Sequence, residues 1–291
     1  MKVVIPAAWF GTRFLPQTKS MPKEMLPVVD KPVIQYVVEE VVDSGVQDIV
    51  IVTWYSKRPI EDHFDMPTKD LEENLMSGNK IEYLEQVRKI GNMANFIYTR
   101  QKGWYGNWMP VLTAEPIIWS EAFAVLRWDE IVSAPVPRLA QMLEVHEKHP
   151  EAIILSGMRI HRKQDLKRYG IADITQIQDN IYTINYIVEK PDPDQAPSNM
   201  MTGGAYILPP QIFDALRTVG IGKGNEMRLV DGINYLKSQW VPVYAVEIKD
   251  STYFDTGNKL EYMKTVTYFA TKHPEIGSDY KQYLWDLISK L

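Results

Sequence analysis

The residues best placed to do chemistry are Arg13 and Lys23, two cations that follow a segment in which small residues flank two aromatic ones, Ala7-Ala8-Trp9-Phe10-Gly11-Thr12. Just ahead of that run, Lys2 to Ile5 form a short apolar segment that reads as a strand. Small residues after a strand let the backbone bend sharply and aim N–H groups at an anion, and the two cations add charge at the same place. Phosphate binding is the chemistry this combination suits. Trp9 works against it, because a bulky indole at the bend obstructs the cradle.

Elements that could position such a loop recur along the chain. Strands are expected over Lys2–Ile5, Asp48–Thr53, Asn95–Thr99, Ala122–Leu126, Ala152–Met158, Tyr182–Val188 and Gly203–Leu208. Helices are expected over Val33–Ser44, Val136–His149, Pro209–Thr218, Glu226–Ser238, Lys259–His273 and Asp279–Leu291, with a helix start from Val111 to Pro116. Leu71 to Met93 reads as one amphipathic stretch. Apolar β-branched runs alternating with helical periodicity give a βαβ rhythm and an α/β fold with a mixed sheet. No internal repeat or linker divides the 291 residues, so one continuous domain is expected.

Composition narrows the function. Hydrophobic content of 45% is ample for a core, and a net charge of -5 argues against a general nucleic-acid or membrane-surface binder. With no cysteine there is no disulfide framework, thiolate zinc site or cysteine nucleophile, and the five histidines lack ligand spacing. No apolar run approaches a membrane span and the start lacks a signal-peptide pattern, so a cytoplasmic location is the expectation.

An ordered set of short words carries a resemblance: Ala7-Ala8-x-x-Gly11-Thr12-Arg13-Phe14-Leu15-Pro16, Pro22-Lys23-Glu24-Met25-Leu26-Pro27, Asp30-Lys31-Pro32, Ile60-Glu61-Asp62-His63-Phe64, Arg100-Gln101-Lys102, Val188-Glu189-Lys190-Pro191 and Phe254-Asp255-x-Gly257. Together, across nearly the whole chain, they resemble the bacterial UTP–glucose-1-phosphate uridylyltransferases of the sugar nucleotidyltransferase family. The resemblance implies a Rossmann-like nucleotidyltransferase fold with a mixed, mostly parallel central sheet flanked by helices, its nucleotide-binding part in about 1–135 and its sugar-binding part with the C-terminal helices in about 136–291. It also implies a Mg2+-dependent reaction of UTP with glucose 1-phosphate, giving UDP-glucose and pyrophosphate, in a homo-oligomer.

Matched residue by residue, the resemblance makes Arg13 and Lys23 triphosphate ligands and Lys190 a ligand of the sugar phosphate. Ala7, Ala8, Gly11, Thr12 and Glu24 fall in the nucleotide site, with Gln101 and Gly106 near the base. Gly170, Glu189, Gly204 and Glu226 match the sugar subsite, and Asp129 and Asp255 match the metal-binding aspartates. An isolated aspartate is more often a loop or N-cap residue, so these two assignments rest on their motifs.

Departures from the pattern are concentrated in tryptophan. Trp9, Trp54, Trp108, Trp119 and Trp128 stand where the family usually has glycine, whereas Trp104 and Trp240 are undecided and Trp285 suits an apolar helix face. Glycine serves at such sites through φ > 0 or close ligand approach, and an indole offers neither. Three explanations compete: a silent paralogue with a plugged pocket, acting as a binding or regulatory subunit; mutagenesis; or a gene from a lineage that reads UGA as glycine, translated with a table that reads it as tryptophan. The last is preferred, since 16 glycines are few for 291 residues and five more bring the content near the usual share, about 7%. Met109, Pro110, Ala205 and Glu130 depart as well, at positions usually histidine, alanine, arginine and aspartate, which leaves a dTTP-using relative as an alternative.

Overall fold

The computed structural model describes residues 1–102, 108–220 and 228–290. Along the chain, β1 (Lys2–Pro6) leads through a loop of short 3-10 turns to a small ladder, β2 (Pro27–Val28) and β3 (Lys31–Pro32), and then to α1 (Val33–Asp43). There follow β4 (Asp48–Thr53), α2 (Arg58–His63), α3 (Lys69–Ser77), α4 (Ile81–Gly91), β5 (Asn95–Arg100), α5 (Met109–Ile118), β6 (Phe123–Leu126), β7 (Glu130–Ser133) and α6 (Arg138–Lys148). The second half holds β8 (Ile153–Arg159), β9 (Gly170–Gln178), β10 (Ile181–Glu189), β11 (Met200–Leu208), α7 (Ile212–Val219), α8 (Leu229–Ser238), β12 (Val243–Glu247), β13 (Thr252–Asp255), α9 (Lys259–Lys272) and α10 (Gly277–Ile288).

Nine strands form one sheet in the order β5-β4-β1-β6-β11-β8-β12-β10-β9. Only β10 and β11 run against the other seven, so the sheet is mixed but mostly parallel, as expected from the sequence. Fully buried β-branched runs such as Val3-Val4-Ile5 and Ile49-Val50-Ile51-Val52 suit central strands covered on both faces. One face is packed by α1 and α6 through Val33, Val37, Leu139 and Met142, and the other by α5, α7 and α8 through Val111, Ile118, Ile212 and Leu229.

A buried ion pair joins the helices of the first face. Arg138 Nε and Nη2 donate to the two carboxylate oxygens of Glu40 at 3.0 and 2.9 Å, and Leu139 N–H donates to the same carboxylate at 3.2 Å.

Several expected boundaries shift for local reasons. The stretch Leu71–Met93 divides into α3 and α4 because Gly78 ends the first helix and Asn79 takes a positive φ of 51°. The helix expected to start at Val111 starts at Met109 and runs through Pro116. β7, β9, β12 and β13 have no counterpart in the expectation. β7, β12 and β13 are short strands that pair only with strands far away in sequence, as β13 does with β7, and β9 is half-polar beyond Ala172 and forms a hairpin with β10.

Candidate active site

Parallel β1, β4 and β6 end at one edge of the sheet, where ligand sites of open α/β sheets gather. A cavity of ≈ 730 Å³ opens at that edge. Its first wall is the loop after β1, which is tied to β4 by Ala7 N–H donating to the Val52 carbonyl at 2.8 Å. Gly11 has φ 65°, and a Cβ there would come 2.8 Å from Lys23 Cβ. Only glycine lets Lys23 lie against this loop.

The second wall follows β6. The Asp129 carbonyl accepts from both the N–H and the hydroxyl of Thr256, each at 2.9 Å, which seats β13 beside β7 and pairs Asp255 with Glu130. Two aspartates far apart in sequence thus face one cavity. Cations surround them: Lys23 Nζ is 3.8 Å and Arg127 Nη2 3.2 Å from Asp129, and Arg168 Nη2 is 2.7 Å from Asp255. Arg127 Nη1 also reaches Glu130 at 3.0 Å. Burial pulls the Lys23 ammonium below its ordinary pKa, opposed by Asp129, Asp255 and Glu24. Burial likewise pushes the Glu130 carboxyl up, opposed chiefly by Arg127.

The third wall comes from β9 and β10. Gly170 sits against Glu189, whose Oε2 a Cβ at 170 would meet at 3.3 Å. Lys190 carries φ 50° and its N–H donates to the Tyr169 carbonyl at 3.0 Å, placing the side chain at the cavity mouth with Nζ 3.4 Å from Glu189.

Of the residues expected in the site, Ala8, Gly11, Thr12, Arg13, Lys23, Gln101, Asp129, Gly170, Glu189, Lys190 and Asp255 line this cavity. Three do not. Ala7 is fully buried beneath the loop. Glu24 is 0% exposed and turned away from the cavity onto Lys57, which donates to its carboxylate at 2.8 and 2.6 Å. Gly204, φ 78°, backs onto the Glu130 and Arg138 side chains with no room for a Cβ, and its neighbour Gly203 lines the cavity instead. Gly106 and Glu226 lie outside the described residues.

Arg127, Arg168 and Tyr253 line the cavity without having been expected there. Arg168 has a weak signal in the sequence, its place beside Tyr169-Gly170. Arg127 has a local signal as well, standing two residues before Asp129 and three before Glu130, both of which its guanidinium reaches.

The tryptophans divide by location. Trp9, Trp108 and Trp128 line the cavity, and Lys23 Nζ lies 4.7 Å from the Trp128 ring centroid. Trp54 packs edge-on against Phe10. Trp119 lies outside the cavity, 78% exposed, and alone among the five has a positive φ, 61°. Trp104 lies outside the described residues, and Trp285 is 74% exposed rather than on a buried helix face.

The pair Asp129 and Asp255 offers the hard oxygen donors that a divalent cation takes. Among the described residues no group of three or more histidine, cysteine, aspartate or glutamate side chains converges. Two carboxylates, with the remaining positions left to phosphate oxygens and water, is the donor pattern of Mg2+ rather than of a caged structural metal.

An anion-cradling loop, ringed cations and an acidic pair at the carboxyl edge of a mostly parallel sheet define a nucleotidyl transferase, and the chain belongs to that family, whose model it matches over residues 2–272. Within it, the chain is one of the UTP–glucose-1-phosphate uridylyltransferases. It is 42% identical over 289 residues, 99% of this chain and 96% of the relative, to UTP–glucose-1-phosphate uridylyltransferase YngB of Bacillus subtilis (strain 168). A UTP-bound UDP-glucose pyrophosphorylase structure from Acinetobacter baumannii superposes with a TM-score of 0.89 at 34% identity, covering 98% of this chain and 99% of that one. A crystal structure of a UDP-glucose pyrophosphorylase complexed with UDP-glucose gives a TM-score of 0.83 at 34% identity over 94% of this chain and 99% of that one. Among the described residues no helix is long and apolar enough to cross a membrane.

Proposed function

We propose that this chain transfers UMP from UTP to glucose 1-phosphate, forming UDP-glucose and releasing pyrophosphate. The observation that carries the proposal is the convergence of Arg13, Lys23 and Lys190 with Asp129 and Asp255 on one cavity. A phosphate oxygen of glucose 1-phosphate attacks the α-phosphorus of UTP, and the bond from that phosphorus to the bridging oxygen of the β-phosphate breaks as pyrophosphate leaves. The reaction needs no covalent nucleophile, so positioning and charge neutralisation carry the catalysis.

Arg13 and Lys23 bind the triphosphate and stabilise the departing pyrophosphate, with the backbone from Ala8 to Thr12 around them. Lys190 holds the attacking phosphate against the repulsion of the α-phosphate, and Glu189 accepts hydrogen bonds from the sugar hydroxyls. Gln101, at the end of β5, pairs with the polar edge of the base. Asp129 and Asp255 would hold Mg2+, which when bound supplies charge neutralisation on the phosphates. Exposed apolar side chains on α9 and α10, among them Leu260, Met263 and Ile288, support assembly with further copies of the chain.

Pyrophosphate release from UTP and glucose 1-phosphate tests the proposal, run on the chain and on a variant with glycine at 9, 54, 108, 119 and 128. The glycine variant is expected to turn over and the tryptophan chain to do so barely, because three of those indoles line the cavity. Equal activity would discredit the obstruction. Silence from both would favour a binding or regulatory role. Mass spectrometry of peptides from the native organism's protein tests the recoding, and tryptophan at 9 and 128 would refute it.

A further inference from the structure

We infer that Lys57 is a positioning residue for the nucleotide site, an assignment that rests on the nucleotide role proposed above. Lys57 lies between β4 and α2, is 5% exposed and does not line the cavity. Its ammonium donates to the Trp9 carbonyl at 2.6 Å and to the Glu24 oxygens at 2.8 and 2.6 Å. An ammonium has three N–H donors, so this set is complete and leaves none for a substrate. Lys57 therefore acts through the segments it holds.

Two consequences follow from those contacts. A trans peptide is planar, so a residue 9 carbonyl drawn toward Lys57 turns the N–H of residue 10 to the opposite side, away from the ammonium. Trp9 and Phe10 line the cavity and Lys57 does not, so the clamp sets which face the loop offers to an anion. Meanwhile Glu24, drawn to the same ammonium, fixes the 3-10 turn Lys23–Met25, from which Lys23 reaches toward Asp129. One buried cation thus orients both the phosphate loop and its lysine.

The test separates this role from mere stability. Lys57→Met leaves Glu24 as an uncompensated buried charge and should lower the Tm, whereas Lys57→Met with Glu24→Leu removes both charges and should regain most of it. Amide hydrogen exchange over residues 7–14 and UTP affinity by calorimetry are then read on the double variant. Exchange in that loop should quicken and UTP affinity fall by about tenfold or more, while affinity for glucose 1-phosphate stays within about twofold. A double variant with parental Tm, loop exchange and UTP affinity would overturn the assignment. Should the loop loosen in the variant while neither the parent nor its counterpart with glycine at 9, 54, 108, 119 and 128 binds UTP, the clamp stands and the nucleotide-site proposal falls.

Discussion

Replacing Trp119 and Trp240 by glycine should stabilise the protein, although each change deletes the largest side chain available. Trp119 caps the C-terminus of α5 with φ 61° and ψ -125°. Gly220 caps α7 with φ 61° and ψ -145°, nearly the same turn. That conformation is open to glycine and costs a side-chain-bearing residue about 1–3 kcal/mol. Trp240 has φ 71° just beyond α8. Little burial opposes the change, because Trp119 is 78% and Trp240 93% exposed. The main counterweight is the unfolded-chain freedom of glycine, about 0.4–1 kcal/mol. The net expectation is about 1 kcal/mol per site, or roughly 2–4 °C in Tm for each. Thermal unfolding followed by circular dichroism measures it, with Trp285→Gly as a control. Trp285 is equally exposed but lies within helical α10, where glycine should cost about 0.5–1 kcal/mol instead. The opposite signs are the point of the experiment. If Trp119→Gly and Trp240→Gly destabilise as much as Trp285→Gly does, the backbone argument is refuted.

Further outcomes follow from the buried charges and the site. Arg138→Met strands Glu40 in the core and should cost about 3–5 kcal/mol, lowering the Tm by roughly 10 °C; a loss below a third of that would mean the pair is not closed in solution. Asp129→Asn and Asp255→Asn should each raise the Mg2+ concentration for half-maximal activity by about 10–100-fold, and an unchanged titration would remove that residue from the metal site. The Tm deficit of Lys57→Met should grow with pH. Burial already pushes the Glu24 carboxyl up and Lys57 is the chief opposing influence, so its loss raises the folded-state pKa further. Below the unfolded value of about 4.3 Glu24 is protonated in both states and carries no charge penalty, and the penalty then grows as pH rises from there to the folded value. The deficit should be small near about pH 5 and large near about pH 8, and a flat profile would contradict the buried-charge account.

What the sequence determined by itself was the frame of the site and the class of fold. The alternation of buried runs such as Ile49–Val52 with amphipathic helices is a local signal, since each strand or helix face is written in neighbouring residues. Gly11, Arg13 and Lys23 were legible for the same reason, as parts of one contiguous loop and turn. What only the tertiary structure decided are relations between distant segments. Sequence words placed Glu24 in the nucleotide site, yet it is turned onto Lys57, a partner that no spacing could nominate. Gly204 reads as a sugar contact, yet its missing Cβ makes room for Glu130 and Arg138. Arg168 reaches Asp255 at 2.7 Å across 87 positions of the chain, and Asp255 lies beside Glu130 because β13 docks on β7. Backbone state was hidden as well. Five tryptophans read from the sequence as replacing glycine, but among them only Trp119 has a positive φ, whereas Trp9, Trp108 and Trp128 line the cavity. Side-chain direction and burial are set by what packs from elsewhere, and so residue type alone could not distinguish these cases.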